Sequence, residues 1–87
     1  MKYRSRTDIV STILDAANGG ATKTKIMYKA YLSYAQLKEY LAILTENNLL
    51  EHIPSEHVYK TTEKGLKFMK AYDQMATFSG EMREISA

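Results

Sequence analysis

The sequence predicts a mostly α-helical domain that carries one small β-hairpin. Three observations carry this. Apolar residues recur at helical spacing in three successive segments, each preceded by a capping residue. Two short β-compatible runs then flank a four-residue turn with the only proline, Pro54. A last helical segment follows a Thr-x-x-Gly start.

Segment 6–17 reads as the first helix. Ile9, Val10, Ile13, Leu14 and Ala17 share one face. Ser5 caps it, with Asp8 as capping-box partner and as a favourable charge at the positive helix end. Asn18-Gly19-Gly20 stops it, because glycine accepts the left-handed conformation that ends helices. Segment 23–30 reads as a short second helix capped by Thr22. Ile26, Met27 and Ala30 form its narrow apolar face, and Lys23, Lys25, Tyr28 and Lys29 its exposed side. The third helix, 34–47, starts from a Ser33/Gln36 capping box and puts Leu37, Tyr40, Leu41 and Leu44 on one face. Tyr31, Leu32 and Ser33 alone separate helices two and three.

Leu49–Ile53 and Val58–Thr61 read as the hairpin strands around 54–57. With that loop, Glu51 faces Lys60, His52 faces Tyr59, and Leu50 and Tyr59 share the core side. Thr62 caps a final helix from 63 to about 84. Gly65 in its first turn marks a close backbone approach, with the hairpin or first helix as neighbour. Leu66 and Met69 are expected to face the domain. Phe68, Tyr72, Met75, Ser79 and Met82 recur at spacings 4, 3, 4, 3, a heptad seam of about two repeats. Helix, helix, helix, strand, strand, helix is the winged helix–turn–helix plan. The expected division is a winged domain over 1–70 and a helical extension over 71–87.

Composition bounds the function. The 87 residues make one small domain, and the lack of cysteine removes disulfides, thiol nucleophiles and Cys-ligated zinc. There is no apolar run of membrane-spanning length and no signal-peptide pattern, so a cytoplasmic protein is expected. The net charge of +2 is unevenly spread: residues 1–38 carry +5 and residues 39–87 carry −3. A polarised molecule with one basic side suits a polyanion partner; the plainer alternative is a solvated charged surface. No Gly-rich phosphate loop, Ser/His arrangement or carboxylate pair stands out, so an enzyme is not expected and no cofactor is implied. His52 and His57 alone make a poor metal-ligand set.

The run from Thr22 to Tyr34 (TKTKIMYKAYLSY), then Gln36–Leu41, Asn48-Leu49-Leu50 and Tyr59–Gly65, resembles an archaeal family of winged helix–turn–helix DNA-binding proteins. The resemblance covers roughly residues 3–72. It implies double-stranded DNA as partner. Some members of that family pair through a long C-terminal helix, and some are abundant chromatin-type proteins.

On the third helix, Ala35, Lys38, Glu39 and Ala42 fall opposite the core residues, with Gln36 to one side and Tyr34 at the border. Two alanines keep that face low enough for a groove. Gln36 and Lys38 are expected to donate to bases or phosphates, and Ser33 and Tyr34 to contact phosphates. Glu39 fits an ordinary solvated face better. Lys23, Lys25 and Tyr28 sit on the helix that crosses the backbone in this architecture, and Arg4 and Arg6 form a basic arm. The hairpin tip holds no Lys or Arg, which leaves His57 and Lys60 as its DNA contacts. Phe68, Tyr72, Met75 and Met82 are the expected dimer seam. The expected function is a homodimeric transcription regulator. Its rivals are a sequence-tolerant architectural protein and a winged-helix module for protein contacts.

Overall fold

The computed structural model describes residues 4–86, with side chains described through residue 75. Helices α1 (Arg6–Ala16), α2 (Lys23–Ala30) and α3 (Tyr34–Glu46) precede strands β1 (Leu50–Ile53) and β2 (Val58–Thr61), and α4 (Glu63–Ser86) follows. The winged plan expected from the sequence is therefore the observed one, and α4 runs through residue 70 as one continuous helix.

Each helix starts where its local chemistry dictates. The Ser5 hydroxyl accepts from the Asp8 N–H while the Asp8 carboxylate accepts from the Ser5 N–H, each at 3.1 Å. Ser33 and Gln36 repeat that reciprocal pair on α3, and Thr22 accepts from Lys25 N–H on α2. Such caps satisfy N–H groups that the first turn leaves without partners, each worth about 1 kcal/mol. α1 ends at glycines with positive φ, Gly19 at 87° and Gly20 at 107°.

Ile13, Leu14, Ile26, Leu37, Leu44 and Leu50 are fully buried and form the centre of one core shared by α1, α2, α3 and β1. The strands pair antiparallel with Glu51 opposite Lys60 and His52 opposite Tyr59, as the charge pairing predicts. A single 3-10 turn, Pro54–Glu56, makes the hairpin tip, and His57 closes it with φ 57°. Ala21 forms an isolated bridge to Tyr59, exchanging hydrogen bonds of 2.8 and 2.9 Å. Buried Thr61 donates its hydroxyl to the Leu14 carbonyl at 2.6 Å, which joins β2 to the end of α1.

α4 departs from expectation in two respects. Leu66 is 42% exposed rather than core-facing. The face turned to the domain is Gly65, Phe68, Met69 and Tyr72, at i, i+3, i+4 and i+7, and Leu66 lies off that stripe. Phe68 packs on the core of its own chain, and the Tyr72 hydroxyl donates to the Asp8 carboxylate on α1. Two of the four expected seam residues are thus used within the chain. Their 4-residue spacing suits an intrachain stripe as well as a coiled coil. Met75 is 70% exposed, and the Met82 side chain lies outside the described residues.

The Tyr72 hydroxyl and then the Ser5 backbone and hydroxyl hold the Asp8 carboxyl below its ordinary value of 3.8. Tyr72 in turn is raised above 10.0, first because its hydroxyl proton bonds Asp8. A carboxylate with a depressed folded pKa adds stability above its unfolded pKa and loses it as pH falls through the folded value. Thermal midpoints measured below about pH 4 should therefore fall in the natural chain and fall less steeply in Tyr72→Phe. Parallel pH curves would show that the α1–α4 contact does not depend on the Asp8 charge.

Candidate nucleic-acid interface

The turn between α2 and α3 positions everything that follows. Tyr31 ends α2 in the left-handed conformation with φ 54°, and Leu32 is buried beneath it. Arg4 reaches across 26 residues to this turn. Its guanidinium donates to the Ala30 carbonyl at 2.7 Å and to the Tyr31 carbonyl at 3.3 Å. These carbonyls lie at the negative end of α2, where a cation is favoured. Arg4 is therefore held against the helix–turn–helix as a brace. Sequence periodicity carries no signal for a contact at that separation.

α3 exposes Tyr34, Ala35, Lys38, Glu39 and Ala42, while Leu37, Leu41 and Leu44 are buried. The Lys38 ammonium stands 5.6 Å from the centre of the Tyr34 ring, a cation–π contact that leaves the charge at the surface. Gln36 is exposed, but its carbonyl oxygen accepts from the Ser33 N–H at 3.0 Å. The backbone group is a donor, so the side chain must present its oxygen to it. The cap fixes how the amide points and leaves its NH2 free to donate to DNA. The Ser33 hydroxyl is engaged in the same cap.

An open groove of about 390 Å³ lies between α3 and the hairpin. Lys23 at the start of α2, Lys38, Ala42 and Glu46 of α3, and His52 and Tyr59 of the hairpin line it. His52 and Tyr59 stack with ring centres 4.5 Å apart and planes 17° from parallel, forming an aromatic wall opposite α3. Neither was singled out as a site residue from the sequence. The cross-strand pairing at 52 and 59 was the available signal. Thr45 in the same groove turns its hydroxyl inward to the Leu41 carbonyl.

The groove unites Lys23 and Lys38 and leaves other expected residues elsewhere. Lys60 is paired with Glu51, and successive strand residues alternate faces, so it lies on the side of the hairpin away from His52 and Tyr59. Lys60 thus stands outside the lining of this groove. His57 is exposed at the hairpin tip, Arg6 is exposed in the first turn of α1, and Lys25 and Tyr28 are exposed on the outer side of α2. Among the described residues, no group of three His, Cys, Asp or Glu side chains is placed to hold a metal ion. None of their helices is long and apolar enough to cross a membrane.

The winged helix–turn–helix family matches residues 3–79. The chain belongs to that family. Its fold is similar to that of Sso10a-2, a DNA-binding protein from Sulfolobus solfataricus, with a TM-score of 0.85. The two are 20% identical, and the match covers 95% of this chain and 90% of the other. No curated protein matches the sequence significantly. In a winged helix–turn–helix, α2 and α3 are the pair of the motif and the β1–β2 hairpin is the wing. The groove of Lys23, Lys38, His52 and Tyr59 therefore lies between the second motif helix and the wing.

Proposed function

We propose that this winged helix–turn–helix protein binds double-stranded DNA with α3 in the major groove, as a homodimeric transcription regulator. The observation that carries the reading is the union of Lys23, Lys38 and the wing's aromatic wall around one open groove beside a low, alanine-bearing helix face. Lys23, Lys25 and Arg6 supply phosphate contacts, Tyr34 and Ser33 lie at the helix start that approaches the backbone, and Lys38 and the Gln36 NH2 face bases or phosphates. Tyr28 and His57 flank this surface. The DNA-binding neighbour of like fold supports the same reading. Pairing through α4 would bury Met75, which is exposed in the isolated chain.

The test is duplex binding at several salt concentrations for the natural chain and for Lys23→Ala/Lys38→Ala. Loss of two phosphate contacts should lower the slope of log affinity against log salt by about 1.8, from about 0.9 per contact. The thermal midpoint should stay put, because both side chains are exposed. An unchanged slope would place the interface elsewhere, and no binding at low salt would sink the reading. Affinity independent of duplex sequence would point to an architectural role. Sedimentation of the natural chain and of Met75→Glu reads the homodimer, and a monomer in both would remove it.

A further inference from the structure

The α2–α3 turn carries a second surface, which borders the duplex surface and shares Lys25 and Tyr28 with its margin. Tyr28 is 75% exposed and Tyr31 is 84% exposed. With Met27 and buried Leu32 they line a separate cleft of about 350 Å³, almost wholly apolar. By contrast Tyr40, Tyr59 and Tyr72 are half-buried.

Tyr31 is an unusual residue for its backbone. At φ 54° it occupies the helix-ending position where glycine or asparagine is common and a bulky side chain is disfavoured. The chain nevertheless places a tyrosine there, points it to solvent, and braces both neighbouring carbonyls with Arg4. Strain that local sequence does not require suggests a use for the ring. The stretch of chain that carries it is basic. Lys23, Lys25, Lys29 and Lys38 lie between Asp15 and Glu39, and no acidic residue occurs in that interval. Lys25 and Lys29 are exposed on the same helix as Tyr28. Aromatic faces over an apolar floor, on a helix that also exposes the Lys25 and Lys29 ammonium groups, suit a ligand with flat bases on a phosphate chain.

We propose that the Tyr28–Tyr31 cleft takes an unpaired DNA base by stacking, giving the protein a single-strand-binding activity beside its duplex surface. Lys25 and Lys29 hold the phosphates on either side of the stacked base. This goes beyond the duplex reading and does not need α3 to enter a groove. The ligand must offer a free base face, which a closed duplex hides within its stack.

The experiment compares oligo(dT) of about twelve nucleotides with an abasic strand of equal length, which keeps the phosphates and lacks the bases. The natural chain should bind oligo(dT) about tenfold more tightly than the abasic strand. Tyr28→Ala and Tyr31→Asn should each remove most of that preference and leave abasic binding as it was. Tyr28→Phe should keep it within about twofold, because phenylalanine stacks without a hydroxyl. Asparagine accepts the left-handed conformation, so Tyr31→Asn should hold or raise the thermal midpoint and retain duplex binding. Equal affinity of the natural chain for the two strands overturns the proposal. So does a Tyr28→Phe variant that falls with Tyr28→Ala, which would assign the hydroxyl and not the ring. Failure of duplex binding at low salt, measured in parallel, strikes the groove reading alone and leaves the contrast between the two strands readable.

Discussion

Gly65→Ala is expected to lower the thermal midpoint by about 10 °C or more, although it places a better helix former inside a helix. A β-carbon at residue 65 would stand 2.5 Å from the Leu49 carbonyl oxygen and 2.7 Å from Thr61 Cγ2. The first neighbour is backbone and cannot rotate away. The Leu49 carbonyl also accepts from the Thr62 N–H at 3.1 Å, so pushing it back strains the junction where β2 becomes α4. Overpacking of this kind costs about 1–3 kcal/mol. Helix propensity returns up to about 1 kcal/mol. Because the nearest atom is backbone, the cost lies at the upper end, about 3 kcal/mol, and the net loss of about 2 kcal/mol corresponds to about 8–16 °C for a domain of this size. A calorimetric midpoint equal to or above that of the natural chain would show that α4 shifts at no cost.

The second large effect separates two adjacent residues. Leu37→Ala should destabilise the domain by about 2–5 kcal/mol, and Lys38→Ala by about 0.5 kcal/mol or less. Leu37 is 1% exposed and lies in the core, whereas Lys38 faces the groove. One residue along a helix is a turn of about 100°, which separates packing from contact. A domain of 87 residues has about 4–13 kcal/mol to lose, so Leu37→Ala removes a large share. Denaturant titration should show that loss. Duplex binding of Leu37→Ala should fall only as far as the folded fraction falls. Lys38→Ala should remain folded and bind less tightly, with a shallower salt slope. Equal stability of the two variants would contradict the assigned faces of α3.

These two positions also show what the amino-acid order reveals. Features set within four residues were legible: the Ser5/Asp8 and Ser33/Gln36 capping boxes, the burial of Leu37, Leu41 and Leu44, and the glycine stop after α1. The hairpin register was legible because opposite charges at 51 and 60 select it. Contacts between distant segments were not. Arg4 reads as a basic arm until the Ala30 and Tyr31 carbonyls are placed beside it. Phe68 and Tyr72 read as a seam for a second chain because a helix's spacing does not say which body it packs against. Gln36 was legible both as a cap and as a DNA contact, and only the formed cap shows how the amide points.

The backbone bonds outside the hairpin have a consequence for how the protein behaves among copies of itself. An uncovered strand offers a row of N–H and C=O groups to any passing chain. On β2 that row is occupied. Tyr59 gives both groups to Ala21, and the Thr61 N–H donates to the Ala17 carbonyl at 3.1 Å. The open margin left to the sheet is that of β1, four residues long, with charged Glu51 exposed on it. Short length and charge both discourage strand addition. A concentrated solution of the protein should therefore resist growing into extended β-assemblies, because the Ala21 bridge covers one edge of the sheet and the short, Glu51-bearing strand guards the other.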